Sequence, residues 1–132
     1  FSATPARQPL VQKLAEAMLA GDRPRLARML EGLRGEGEAP PRVLWLLAEE
    51  IRAVCRVQDG IAAGRPLPEV LREARVWGEA RQTVVGRAAR KFSRGALLAA
   101  LRHAAGVDRV VKGIVKGDAW DELLQLGLRF AA

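Results

Sequence analysis

Between Pro41 and Gly64 the chain reads PRVLWLLAEEIRAVCRVQDGIAAG. Apolar residues recur there every three or four positions, a period that a helix satisfies and a strand does not. At about 100° per residue, Val43, Leu44, Leu46, Leu47, Ile51, Val54, Cys55, Val57 and Ile61 share roughly half of the helix surface. Arg42, Glu49, Arg52, Arg56 and Asp59 share the other half. Pro40 and Pro41 suit the first turn, which needs no N–H, and Gly64 suits the left-handed position after the last turn. One long helix with a wide buried face is therefore expected, and the remaining segments must cover that face.

Two residues break the pattern. Glu50 falls within the apolar arc, where a carboxylate needs a partner because an unpaired buried charge is costly. We expect a structural ion pair, with Arg75 as the best-placed cation. Trp45 falls within the polar arc. It is either covered by a neighbouring helix or offered to another chain.

The rest of the chain is consistent with an all-α domain. Ala, Leu, Arg and Glu are abundant, and no segment alternates apolar and polar residues between hairpin turns. The expected architecture is a helical bundle of about five to seven helices, with a linker at 1–8 and one domain at 9–132. The opening FSATPARQP, with no initiator Met, reads as the cut end of a longer protein. Leu10, Leu14, Ala17 and Met18 mark a first helix from Pro9, stopped by Gly21. Asp22 caps a second, with Leu26, Met29, Leu30 and Leu33 inside. After the long helix, a short helix begins near Pro68. Arg75-Val76-Trp77-Gly78 makes a corner in which Trp77 is expected to plug the core. A helix from Glu79 to Phe92 buries Val84, Val85, Ala88 and Phe92. Ser93 caps a helix from Arg94 to about Val115, with Leu97, Leu98, Leu101, Ala104, Val107, Val111 and Ile114 buried or partly so. Asp108 and Lys112 form an i,i+4 pair on it. Asp118 caps the last helix, which turns Trp120, Leu123, Leu124, Gly127 and Leu128 inward. Gly106 and Gly113 fit either close approach by another helix or simple tolerance. With Gly127 and Trp45 they are the candidate partner interface.

The formal net charge is +7. Arg65–Lys112 holds eleven basic and four acidic residues, so the excess lies in mid-chain. Arg87, Arg90, Lys91 and Arg94 are expected on one exposed surface, facing nucleic acid, an acidic partner or solvent. Phe92, the aromatic residue among them, belongs to the buried stripe, so no exposed ring interleaves with these cations as a single-strand binder would require.

Catalytic patterns are absent from the sequence. It has no glycine-rich loop ending in Gly-Lys-Ser/Thr for a nucleotide, and one Cys with one His does not make an ordinary zinc site. His103 reads as a partly exposed surface residue. No cofactor, metal or catalytic residue is expected. Cys55 has no intrachain partner, which fits a reducing cytoplasm, and no apolar run is long enough to cross a membrane.

The strings LLAEEIR, GRPLPEVLREARVW, VDRVVKG and DAWDELLQLGLR, in this order and spacing, resemble the C-terminal domain of the delta subunit of the bacterial DNA polymerase III clamp loader. The resemblance runs from about Leu10 to Arg129. Its most specific parts are Glu50-Ile51, the Arg75–Trp77 corner and the Asp108–Lys112 spacing, which it marks as structural. The resemblance implies a helical collar domain that joins delta-prime and tau/gamma subunits in a pentamer. It implies a parent subunit that opens the sliding clamp for loading on primed DNA without hydrolysing ATP. Nucleotidyl transfer would belong to another subunit of the polymerase. The clamp would be touched only through an N-terminal region outside this chain, and any DNA contact would be weak and non-specific. The alternative reading is an autonomous basic helical DNA-binding domain.

Overall fold

The computed structural model describes residues 4–131. Seven helices and no strand occur among the described residues, an all-α bundle. They are α1 (Thr4–Ala20), α2 (Arg23–Gly35), α3 (Pro40–Ala62), α4 (Leu67–Glu73), α5 (Glu79–Lys91), α6 (Arg94–Val111) and α7 (Ala119–Leu128). The expected linker is helical from Thr4 onward. Residues 1–3 and 132 lie outside the described residues, as does the side chain of Leu10.

The long amphipathic helix is the centre of the bundle. α3 packs against α1, α4, α5, α6 and α7. Val43, Leu47, Ile51, Val54 and Val57 are wholly enclosed, while Leu46, Cys55 and Ile61 sit at the edge of the core. α3 and α6 run antiparallel. Asp59 near the end of α3 pairs with Arg94 at the start of α6, while Pro41 and Asp108 line one groove at the opposite end. Gln58 ties α3 to α5 by donating from Nε2 to the carbonyls of Ala89 (3.1 Å) and Phe92 (2.7 Å). Those carbonyls belong to the last turn of α5 and the residue after it, where no intrahelical donor remains.

The N-caps follow from local chemistry. Asp22 accepts from the Arg25 N–H (3.2 Å), Ser93 from Ala96 (3.1 Å), and Asp118 from Trp120 (2.9 Å) and Asp121 (3.2 Å). At the other end, α1, α2, α3, α4 and α6 each close with the paired backbone bonds of a Schellman motif. The left-handed residue is Gly21, Gly37, Gly64 or Gly113 in four of them, but Arg75 (φ +60°) in α4.

That arginine corrects the expected corner. The residue after the left-handed position returns toward the helix it has just left. Here this is Val76, whose N–H donates to Leu71 O (2.9 Å) and whose side chain is buried against the core. Trp77, one residue later, is turned outward and is 59% exposed. Val76, not Trp77, plugs the core.

α6 is also shorter than expected. Gly113 (φ +77°) ends it through bonds from Gly113 N–H to Val110 O (3.0 Å) and Ile114 N–H to Arg109 O (2.9 Å). Gly113 is thus a helix stop, not a helix-crossing point. Ile114 and Val115 lie beyond it, exposed, and Leu98 is exposed as well. Gly127 is used inside the domain: a Cβ there would stand 2.6 Å from Leu26 Cδ2, so α2 takes up that space. The tightest close approach is at Gly60, where a Cβ would meet Val70 Cγ1 of α4 at 2.5 Å.

Candidate functional site

Glu50 is 6% exposed despite its charge. Its partner is Arg81 of α5, not Arg75. Arg81 Nη2 donates to Glu50 Oε1 (2.7 Å) and Arg81 Nε to Oε2 (2.9 Å), a two-pronged pairing that matches guanidinium to carboxylate. The third nitrogen, Nη1, donates to the Arg75 carbonyl (3.1 Å). Next to it, Gln82 Nε2 donates to Val76 O (3.0 Å). The first turns of α5 therefore hold the corner by its backbone. The Arg75 side chain is exposed and contributes nothing to Glu50; only its carbonyl takes part.

Around this buried pair the surface is open. A groove of about 570 Å³ is lined by Trp45, Leu46, Glu50, Arg75, Trp77 and Arg81, among others. Trp45 is 62% exposed, which resolves the choice left by the sequence: among the described residues no neighbouring helix covers it. It also lines a second groove, of about 370 Å³, between α3 and α6. The floor of that groove includes Leu44, Ala48 and Ala104, with Arg52 and Asp108 at its margins. Trp45 thus stands as a ridge between two concave surfaces. Of the other candidate interface residues, Gly106 is half-buried with open space at its α-carbon, whereas Gly113 and Gly127 serve the fold as described above.

The expected basic surface is present in part. Arg87, Arg90 and Lys91 are exposed on α5 and line one shallow groove. Arg94 is exposed but engaged with Asp59. Elsewhere charges pair locally. Lys112 Nζ lies 2.8 Å from Asp108 Oδ2, as the spacing predicts, and Arg52 Nη1 lies 2.9 Å from Glu49 Oε1. Arg65 bridges Glu69 and Glu73, and its hydrogen bonds hold the Glu73 carboxyl below the usual range.

His103 joins α6 to the end of α7. Arg129 Nε donates to His103 Nδ1 (2.7 Å), which requires that nitrogen to be unprotonated. Burial, then the Arg129 charge, pushes the imidazole pKa below its ordinary value; Glu122, 3.8 Å from Nε2, opposes this. A base whose pKa is lowered by folding binds protons more readily in the unfolded chain. Stability should therefore fall as pH drops from the unfolded value near about 6.5 through the lower folded value. Thermal melts at about pH 7 and about pH 5.5 should show a smaller acid-induced loss for His103→Gln than for the native chain. Equal losses would mean that this contact does not govern the response.

No group of three or more His, Cys, Asp or Glu is placed to hold a metal ion among the described residues. No helix among them is long and apolar enough to cross a membrane. A scan against protein-family models finds no match, and a search of curated proteins finds none either.

Proposed function

We propose that this chain is a protein-interaction module, working as the collar domain of a clamp-loader delta subunit and joining it to delta-prime and tau/gamma. The observation that carries an interaction role is Trp45. Large aromatic side chains are enriched among residues that dominate protein interfaces, and an exposed indole on a rigid central helix is poised for such use. The surface around it is two grooves rather than an enclosed cavity. Such relief suits side chains of another helical domain better than a small substrate, which is ordinarily buried over most of its surface. The choice of clamp loader rests on the resemblance of LLAEEIR, GRPLPEVLREARVW, VDRVVKG and DAWDELLQLGLR to the delta C-terminal domain.

A position between two different neighbours needs two different surfaces, so the contacts would be heterologous, not a two-fold dimer. Mixing the chain with delta-prime and tau/gamma collar domains and measuring mass in solution tests this. The expected result is a mixed complex at low micromolar protein, a dissociation constant of order 1 μM corresponding to about 8 kcal/mol. Only free components at concentrations well above that would overturn the proposal.

A further inference from the structure

We infer that the exposed face of α5 is a docking surface for the phosphate backbone of double-stranded nucleic acid, bound without regard to sequence. The groove there has Leu67 and Gly86 at its base and Thr83, Arg87, Arg90 and Lys91 along it, and no carboxylate lines it. Arg90 and Lys91 lie three and four residues after Arg87, so the three cations share one side of the helix. Arg81, earlier on the same helix, is held by Glu50, and Arg94, just beyond it, by Asp59. Arg87 and Arg90 make no ion pair among the described residues and keep their donors for an incoming group. Arginine presents a planar fork that suits phosphate oxygens.

The kind of nucleic acid follows from what surrounds the cations. Binding to single strands draws on aromatic rings that stack on bases. The nearest ring is Phe92, which is half-buried, lies 5.3 Å from the Lys91 ammonium and packs edge-on against Phe130. It offers no free platform. A rigid helix bearing charges but no rings can follow a duplex backbone, which needs only cations. This inference is independent of the collar assignment, because Trp45 belongs to α3 and lines neither side of the α5 groove.

Fluorescence anisotropy of a labelled random-sequence duplex, titrated with the full chain at low salt, tests it. Neutralising about two phosphates, one each by Arg87 and Arg90, predicts weak binding whose logarithm falls with log salt at a slope of about −2. Arg87→Glu/Arg90→Glu should weaken binding at least about tenfold and reduce the slope by about 2. Arg28→Glu/Arg34→Glu on exposed positions of α2 changes the net charge equally and should have much less effect. Circular dichroism should show both variants folded. Equal weakening by the two variants would reduce the effect to net charge and overturn the assignment to α5. So would an absence of binding by the native chain, tighter binding to single strands than to the duplex, or full competition by poly-glutamate at matched charge.

Discussion

Arg81→Ala is expected to lower the free energy of unfolding by about 3–5 kcal/mol. The loss is large because the substitution leaves the Glu50 carboxylate in the core without its cation. Only 7% of that side chain is exposed, so water cannot replace the two donors. The Arg75 carbonyl loses its donor at the same time, at a corner already holding a non-glycine residue in the left-handed region. The reverse substitution, Glu50→Ala, should cost less, about 1–3 kcal/mol. Arg81 is 30% exposed and can turn its charge to solvent while keeping its bond to Arg75. Glu49→Ala, which removes only an exposed pair, should change stability by less than about 1 kcal/mol. Urea melts of the three variants give the order. An Arg81→Ala loss no greater than that of Glu49→Ala would show that the buried pair does not hold the corner.

Leu47→Ala should cost about 2–5 kcal/mol, the range for removing a fully enclosed aliphatic side chain and leaving part of its volume empty. Leu47 is wholly buried on the central helix, where collapse around a cavity is restricted by helices on several sides. Two residues earlier, Trp45→Ala removes a far larger side chain and should change stability by only about 0.5 kcal/mol. Size predicts the opposite order; burial decides it. Melting curves for the two variants distinguish the alternatives, and a Trp45→Ala loss comparable to that of Leu47→Ala would mean that the indole is covered after all.

The parts of the fold written in short-range patterns were legible. The α3 face was readable because its period repeats over six turns, and Asp22, Ser93 and Asp118 because an N-cap is a contact within three residues. The corner after α4 was not. Its left-handed residue is an arginine, which carries no signal for that conformation, so the register of the corner was expected one residue late. That single slip exchanges Val76 for Trp77 in the core. It also hides Arg81 as the partner of Glu50, since the pairing spans 31 residues and depends on where α5 begins after the corner. Glycines were ambiguous for a related reason. Gly113 ends a helix, Gly127 admits Leu26 and Gly60 admits Val70, yet each sits in a similar run of helix-forming residues. Which neighbour approaches is decided by tertiary packing, and nothing adjacent in sequence encodes it.

Among the candidate interface residues, Trp45 stands apart as the one large side chain, and it is left exposed. The collar proposal therefore meets its sharpest test in one comparison: the mass in solution of mixtures with delta-prime and tau/gamma collar domains, for the native chain and for Trp45→Ala. A central interface tryptophan accounts for about 2 kcal/mol or more, roughly thirtyfold in affinity. The account predicts a mixed complex for the native chain at low micromolar protein and its loss at the same concentration for a folded Trp45→Ala. Identical masses for the two proteins, whether both assembled or both free, would contradict it.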